Sequence, residues 1–168
     1  MSDMLTGRRP EIGTEVADFE LPDDTGKNVR LSELLNGGPV LLLFYPTDFG
    51  MLCSIEMGAI RDNLHRFEEM GIQVVGLSTN TTYSHAAWKG NMRIQFPLLS
   101  DVKGIVALRL GMMCPEDSWL KGRTCRAALL IDKERRITMA WVPPDTHQVP
   151  EVDELLQECR RALGLTIP

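Results

Sequence analysis

The chain has 168 residues, with 18 Lys and Arg against 23 Asp and Glu, and a formal net charge of −5 at pH 7. This acidic balance argues against a nucleic-acid-binding protein, which would usually carry a basic surplus. Apolar residues make up 43% of the chain, a typical share for globular proteins, and the length favours one domain over residues 1–168.

The N-terminal residues and the longest apolar run indicate where in the cell the protein resides. The N-terminal MSDMLTGRRP lacks the apolar stretch of a signal peptide. The longest apolar run, PVLLLFYP, is too short to cross a bilayer. We therefore expect a cytoplasmic protein that does not enter membranes.

The first half of the chain alternates strand and helix patterns. VADFELPD (16–23) predicts a strand that ends in a turn. PVLLLFYP (39–46) is a continuous apolar run, which is typical of a strand buried on both faces. Residues 51–70 predict a helix, because Ile60, Leu64 and Phe67 recur at helical spacing.

The pattern repeats after Gly71, which we expect to end that helix. IQVVGLST (72–79) predicts a strand, and TTYSHAAWKGNM (81–92) predicts a helix capped by one of its first hydroxyl residues. FPLLSD (96–101) predicts a short strand or turn, followed by a helix over 102–111.

The last third predicts a hairpin and a final helix. CRAALLID (125–132) and ITMAWVP (137–143) are two strands joined by KERR, and residues 150–165 form the helix. This order predicts an α/β fold with a mixed central sheet flanked by helices. It resembles the thioredoxin-like arrangement with an N-terminal extension.

Cys53 lies where the strand 39–46 gives way to the helix 51–70. A thiolate near a helix N-terminus faces unpaired backbone N–H groups and the positive end of the helix dipole, and both favour the anion. Pro46 helps to set the connecting loop, because its ring fixes one backbone dihedral. The alternative is that Cys53 merely fills a gap in the first helical turn.

Two charged residues favour the reactive thiol. Glu56 follows Cys53 by three residues, on the same face of the helix. A lone carboxylate there would disfavour a thiolate, so a cation is needed. Arg126 begins a buried strand and could pair with Glu56 while donating to the thiolate. The alternative is a charge at a strand end, in solvent.

These residues belong to a pattern that resembles the peroxiredoxins. FYPTDF, Cys53 and Glu56 are similar to the active-site segment of that family. Four further segments continue the resemblance in order, to the alkyl hydroperoxide reductase and thiol-specific antioxidant branch: STNTTYSHAAW (78–88), FPLLSD (96–101), RAALLID (126–132) and VDELLQECRRAL (152–163).

The resemblance implies a thiol peroxidase that needs no metal or organic cofactor. Cys53 would attack a hydroperoxide and become a sulfenic acid. Arg126 would stabilise the thiolate, Glu56 would orient Arg126, and Pro46 would shield the sulfur from water. An external thiol, from a thioredoxin-like protein or a small molecule, would reduce the product. The family commonly forms dimers or larger homo-oligomers.

Gly50 departs from the family pattern. The motif P-x-x-x-T-x-x-C carries threonine or serine four residues after the proline, and Gly50 occupies that position. The missing hydroxyl would hold the peroxide, and losing one such contact costs about 10²–10³ in rate. An alternative function is therefore a redox sensor, chaperone or partner-binding module with little peroxidase activity.

The resolving cysteine is a second departure. In the branch that these segments resemble, the second cysteine, which forms a disulfide with the oxidised first one, lies after the last helix, and here the residues after the last predicted helix contain no cysteine. Cys159 falls on an apolar helical stripe that indicates core packing. Cys125 precedes Arg126 on a strand, so their side chains point to opposite faces. Cys114, in a loop, is the resolving candidate by elimination. Two alternatives stay open: Cys114 pairs with Cys125, or Cys53 acts without a resolving partner.

Overall fold

The computed structural model describes residues 10–166, so the start of the expected N-terminal extension, 1–9, lies outside the described residues. A five-stranded sheet forms the centre. Its strands are β3 (Val40–Phe44), β4 (Gln73–Ser78), β5 (Leu98–Ser100), β6 (Ala127–Ile131) and β7 (Ile137–Trp141). The spatial order is β5-β4-β3-β6-β7; the first three strands are mutually parallel, and β6 and β7 run antiparallel to their neighbours. The prediction of a mixed central sheet is confirmed.

Helices flank this sheet. They are α2 (Met51–Asp62), α3 (Leu64–Glu68), α4 (Thr82–Met92), α5 (Ile105–Arg109) and α6 (Val152–Ala162). Thr81 caps α4, since its side chain accepts a hydrogen bond from the backbone N–H of Ser84. No helix within residues 10–166 is long and apolar enough to cross a membrane.

The prediction of a single helix over 51–70 is wrong, because the helix is interrupted at Asn63. This residue has φ −115° and ψ 12°, and it separates α2 from α3. Its side-chain amide donates to the carbonyl of Ala59 at 2.8 Å. A short polar side chain that binds nearby backbone competes with the helical ladder, which accounts for the interruption.

A small N-terminal hairpin precedes the sheet. It consists of β1 (Glu20–Pro22) and β2 (Asn28–Arg30), followed by the short helix α1 (Leu31–Leu34). The Asp23 carboxylate closes the turn by accepting backbone N–H groups of Thr25 and Lys27. The sequence indicated only the first of these elements, because three-residue strands are too short to show a periodicity.

The sheet separates two apolar layers. Leu41 and Leu43 of β3 belong to the layer that contains α2, α3 and α6. Leu42 and Phe44 belong to the opposite layer, with residues of α1 and α5. Alternate residues of a strand point to opposite faces, so the continuous apolar run of β3 is buried on both sides.

Strand register brings distant segments together at one end of β3. Phe44 pairs with Ala127 of β6, so Arg126 lies beside the residue that follows Phe44. On its other side Phe44 pairs with Leu77 of β4, close to the end of that strand. The turn that leaves β3 therefore meets the start of β6 and the β4–α4 connection.

Candidate active site

The turn from β3 to α2 delivers Cys53. Phe49 has φ 65°, in the left-handed region that is costly for a non-glycine residue. Gly50 follows with φ −65° and ψ 143°, and it occupies the N-cap of α2 without providing a side-chain cap. Cys53 is the third residue of α2, where backbone N–H groups have no acceptor within the helix.

Arg126 connects the thiol to Glu56. Its Nη2 donates to Cys53 Sγ at 3.6 Å, and its Nη1 donates to Glu56 Oε2 at 3.1 Å. All three residues are buried, and Cys53 is 3% exposed. A fixed guanidinium in a low-dielectric site stabilises an adjacent anion strongly, because little solvent screens the charge. The structure thus brings together the three charged and nucleophilic residues that the sequence singled out.

Glu56 has an unusual environment for a carboxylate. Burial raises the pKa of its carboxyl group from 4.5 to about 7, while the Arg126 guanidinium acts in the opposite direction. Desolvation disfavours the charged form, and one ion pair does not fully offset that cost. The ion pair is therefore sensitive to pH near neutrality.

Thr146 holds Arg126 from the other side. Its hydroxyl accepts the backbone N–H of Arg126 at 2.9 Å, and its carbonyl accepts Arg126 Nε at 2.9 Å. These bonds orient the guanidinium, leaving Nη1 and Nη2 for Glu56 and Cys53. The sequence gave no signal for this role, because Thr146 lies in a connection without periodicity and 20 residues from its partner.

The β3–α2 turn is anchored by helix α4. Asp48, within the turn, accepts Tyr45 Oη at 2.7 Å and Ser84 Oγ at 2.9 Å, and its Oδ2 lies 2.8 Å from His85 Nδ1. On the other side of Cys53, Trp88 Nε1 donates to Ser54 Oγ at 3.3 Å. The SHAAW segment thus supports the turn from both ends.

Both ring nitrogens of His85 have hydrogen-bond partners. Its Nε2 lies 3.0 Å from the carbonyl oxygen of Leu99, and its Nδ1 lies 2.8 Å from Asp48 Oδ2. Both His85 and Asp48 are buried.

A cavity of about 230 Å³ opens onto Cys53. Its walls come from the β3–α2 turn and the start of α2, from the 114–125 loop, and from the segment around Thr146. The lining residues are Pro46, Thr47, Gly50, Met51, Leu52, Cys53, Trp119, Leu120, Arg126, Thr146 and His147. Most of this lining is apolar, and Pro46 borders the cavity together with Cys53.

Gly50 lies close to the sulfur and to Thr47. A Cβ added at this position would lie 3.2 Å from Cys53 Sγ and 3.3 Å from the Thr47 carbonyl oxygen. Its backbone dihedrals are open to any residue, so the turn does not require glycine there. The backbone therefore does not exclude a side chain at position 50, but Cys53 or Thr47 would have to shift by a few tenths of an ångström to admit one.

The remaining cysteines lie apart from Cys53. Cys114 and Cys125 form a disulfide with a Cα–Cα distance of 5.1 Å, in the apolar layer on the other side of the sheet. This is the pairing that the sequence left open as an alternative. Cys159 shares the layer of Cys53, but burial raises the pKa of its thiol to about 12. A thiol in that state is inert.

Comparison with known proteins identifies the family. The model of the AhpC/TSA family matches residues 12–140. A Mycobacterium tuberculosis protein whose name assigns it to the peroxiredoxins is 39% identical over 130 residues, covering 76% of this chain and 82% of that protein. The chain belongs to the peroxiredoxins.

Solved peroxiredoxin structures share the fold described above. The peroxidoxin BcpB of M. tuberculosis has a TM-score of 0.79 at 34% identity, with 91% of this chain and 98% of that chain covered. The reduced 2-Cys peroxiredoxin of Plasmodium vivax has a TM-score of 0.78 at 27% identity, with 91% and 96% covered. The thioredoxin-like fold expected from the sequence is confirmed. As a peroxiredoxin, the protein is a thiol-dependent peroxidase.

Proposed function

We propose that Cys53 is the peroxidatic residue, and that Arg126, Glu56 and Pro46 support it. The observation that supports this assignment is that Arg126 donates to both side chains. Its Nη2 lies 3.6 Å from Cys53 Sγ, and its Nη1 lies 3.1 Å from Glu56 Oε2. This arrangement leaves the thiolate next to a fixed positive charge at the base of a cavity. Nucleophilic attack by a thiolate requires such an electropositive, accessible environment.

The reaction follows from this geometry. The Cys53 thiolate attacks the terminal oxygen of a hydroperoxide, a sulfur–oxygen bond forms and the oxygen–oxygen bond breaks. Two electrons pass from sulfur to oxygen, and the leaving oxygen takes a proton to become water or an alcohol. Arg126 faces the position where negative charge moves from sulfur to the leaving oxygen, so it stabilises the transition state. Pro46 limits access of water to the sulfenic acid.

We propose that an external thiol completes the cycle. A first thiol attacks the sulfenic sulfur and releases water, and a second thiol then displaces Cys53 from the mixed disulfide. Cys159 is buried with a raised thiol pKa, and Cys114 is bonded to Cys125 on the other side of the sheet. A resolving role for Cys114 would first require reduction of that disulfide. A one-cysteine mechanism is therefore the simplest cycle.

The assembly and location expected from the sequence remain part of this proposal. We propose a homodimer or a larger homo-oligomer in the cytoplasm, with a thioredoxin-like protein or a small thiol as reductant. The position of β7 at one edge of the sheet supports self-association, because an edge strand can pair with another chain. Gly13 and Thr14 already bond to Ile137 at the start of β7, so such pairing would involve the later part of the strand. Gly50 alone favours the alternative of a sensor, chaperone or binding module with little peroxidase activity.

Single-turnover kinetics test the assignment of Cys53. Reduced protein is mixed rapidly with hydrogen peroxide or an organic hydroperoxide, and the sulfenic acid is trapped and located by mass spectrometry. We expect oxidation on Cys53, its loss in Cys53→Ser, and its persistence in the matched variant Cys159→Ser. Equal oxidation of wild type and Cys53→Ser would overturn the assignment.

A further inference from the structure

One wall of the cavity presents an uncovered aromatic surface. Trp119, from the loop between Cys114 and Cys125, is 78% exposed even though it lines the cavity mouth. Its indole is stacked on the imidazole of His147, with centroids 6.2 Å apart and an interplanar angle of 24°. The ring is thus held at the mouth with most of its surface free for another apolar group.

The loop that carries Trp119 is fastened at its base. The disulfide between Cys114 and Cys125 closes it, and the backbone N–H of Cys114 donates to the carbonyl of Arg123 at 2.9 Å. On the opposing segment, His147 Nδ1 lies 2.7 Å from Asp145 Oδ1. Both partners of the stacked pair therefore belong to restrained segments, which lowers the entropic cost of binding against them.

Hydrogen peroxide is poorly matched to this cavity. Both of its oxygens are hydroxyl groups that need hydrogen-bond partners when they leave water. Arg126 and the first-turn backbone can serve the oxygen next to sulfur. Beyond that point the walls include Trp119, Leu120 and Met51, and Gly50 offers no hydroxyl. The polar side chains of the lining are Thr47, Thr146 and His147, and each is already hydrogen-bonded within the protein, to Asp48, Arg126 and Asp145 respectively.

An organic hydroperoxide has one hydroxyl group and one carbon group, where hydrogen peroxide has two hydroxyl groups. Its single hydroxyl oxygen is the one that Cys53 attacks, and its carbon group would take the place of the second hydroxyl of hydrogen peroxide. Burying a carbon group against an exposed indole is favourable, because both surfaces leave water. The cavity, at about 230 Å³, is smaller than the roughly 300–1,000 Å³ of drug-sized ligand sites, so it suits a compact group.

We infer that this site prefers organic hydroperoxides with a compact aromatic or branched apolar group over hydrogen peroxide, and that Trp119, supported by His147, is the residue that determines this specificity. The inference rests on the proposed function of Cys53. The reaction is then thiolate plus hydroperoxide giving sulfenic acid plus an alkoxide, which takes a proton from water and leaves as the alcohol. The alcohol exits past the same indole.

The experiment compares three peroxides in single turnover. Cumene hydroperoxide, tert-butyl hydroperoxide and hydrogen peroxide are mixed with protein whose Cys53 is reduced and whose disulfide is verified intact by mass. We expect the rate-constant ratio of cumene hydroperoxide to hydrogen peroxide to exceed one, and to fall about tenfold in Trp119→Ala, the usual scale for losing one apolar pocket contact. Tyr83→Ala, at an aromatic residue that is 86% exposed and outside the cavity, is the matched control.

The outcomes separate the inference from the proposed function. Hydrogen peroxide reacting at least as fast as both organic peroxides, or a ratio unchanged in Trp119→Ala, would overturn the specificity while leaving Cys53 as the peroxidatic residue. Loss of Cys53-dependent oxidation with all three peroxides would instead overturn the function.

A binding measurement provides a readout that does not depend on turnover. The product alcohol 2-phenyl-2-propanol is titrated into the wild type and into Cys53→Ser, and tryptophan emission is followed. We expect a blue shift, because the alcohol would cover the exposed indole of Trp119, whereas Trp88 is already buried and the half-buried Trp141 does not line the cavity. The shift should vanish in Trp119→Ala. A wild-type spectrum that does not change at millimolar alcohol would contradict the inference.

Discussion

Arg126 suits this site because it donates hydrogen bonds in several directions at once. Its backbone N–H and Nε bind Thr146, and its two terminal nitrogens bind Glu56 and Cys53. Lysine has no planar fork, so it could not make these contacts together. The identity of the cation matters here as well as its charge.

Replacement of Arg126 by lysine should therefore slow the oxidation of Cys53. We expect the second-order rate constant to fall by about 10²–10³, the usual cost of removing one preorganised donor to a developing charge. Stopped-flow mixing with a hydroperoxide measures it. Arg30→Lys, at a half-exposed ion pair distant in sequence from the site, is the control. Equal rates for Arg126→Lys and wild type would show that charge alone suffices.

A hydroxyl at position 50 should recover hydrogen-bonding capacity near the sulfur. In Gly50→Thr the new Cβ would lie 3.2 Å from Cys53 Sγ, so the hydroxyl could reach a bound peroxide after a small adjustment. We expect a gain of about tenfold or more in the rate with hydrogen peroxide, within the roughly 10²–10³ range of such contacts. Gly50→Ala adds the same Cβ without the hydroxyl. A similar gain in both variants would contradict this explanation.

Glu56 should make stability depend on pH. Burial raises the pKa of its carboxyl to about 7 in the folded protein, above the ordinary value of 4.5. The folded state therefore binds more protons between these values, and stability from this group is present below about pH 4.5 and lost as pH rises through 7. Urea unfolding from pH 4.5 to 8 measures the slope.

The variant Glu56→Gln removes this titration. We expect its free energy of unfolding to vary less over that pH range than that of the wild type. Glu154→Gln, at an exposed position of α6, should keep the wild-type slope. An unchanged slope in Glu56→Gln would mean that the Glu56 carboxyl titrates near its ordinary value.

At the scale of elements, α4 stabilises a turn that is locally strained. The left-handed φ of Phe49 costs about 1–2 kcal/mol, so the turn needs contacts that hold it in place. Asp48, the preceding residue, provides them through Tyr45, Ser84 and His85. Support from α4 therefore determines where α2 begins and where Cys53 points.

Asp48→Asn should loosen that support. We expect the free energy of unfolding to fall by about 1–3 kcal/mol, because one amide oxygen cannot accept all the buried hydrogen bonds that the two carboxylate oxygens make with Tyr45, Ser84 and His85. Cys53 oxidation should slow in parallel, since the turn that presents the thiol is less restrained. Chemical denaturation and stopped-flow mixing report the two effects. Asp62→Asn, at an exposed ion pair with Arg61, should change neither.

The elements differ in how far the sequence predicted them. The buried strand before Cys53 and the helix after it have strong patterns, so Cys53, Glu56 and Arg126 could be placed together. Thr146 could not, because its contact with Arg126 joins an irregular loop to a strand. The break at Asn63 was also missed, since the apolar spacing continues across it and the side-chain bond to Ala59 leaves no periodic signal.

At the scale of the molecule, the central sheet separates the Cys53 thiol from the disulfide. Cys53 lies in one apolar layer, and the Cys114–Cys125 disulfide lies in the other. Residues 125 and 126 are adjacent in the chain, yet the first belongs to the disulfide and the second contacts the thiol. The alternation of side chains along a strand was sufficient to predict that Cys125 and Arg126 point to opposite faces. The structure was needed to show that Cys125 pairs with Cys114.

The disulfide should contribute to stability without being needed for sulfenic acid formation. It joins residues 11 apart, and closing a loop of about that length stabilises a fold by roughly 3 kcal/mol. We expect the double variant Cys114→Ser, Cys125→Ser to lose about that much in denaturant unfolding, while Cys53 still forms a sulfenic acid detectable by mass. Failure to form it would indicate that the pair takes part in the peroxide step.

The depth of Cys53 also bears on how the oxidised enzyme is reset. Cys53 is 3% exposed and lines a cavity of about 230 Å³, so an incoming thiol must approach it through that cavity. A small thiol fits such a space, whereas the surface of a protein reductant does not, unless the first turn of α2 or the Trp119 loop moves aside. If the same opening admits the reductant, we expect a small thiol to reduce the oxidised Cys53 faster than a protein thiol does, and Trp119→Ala to narrow that difference.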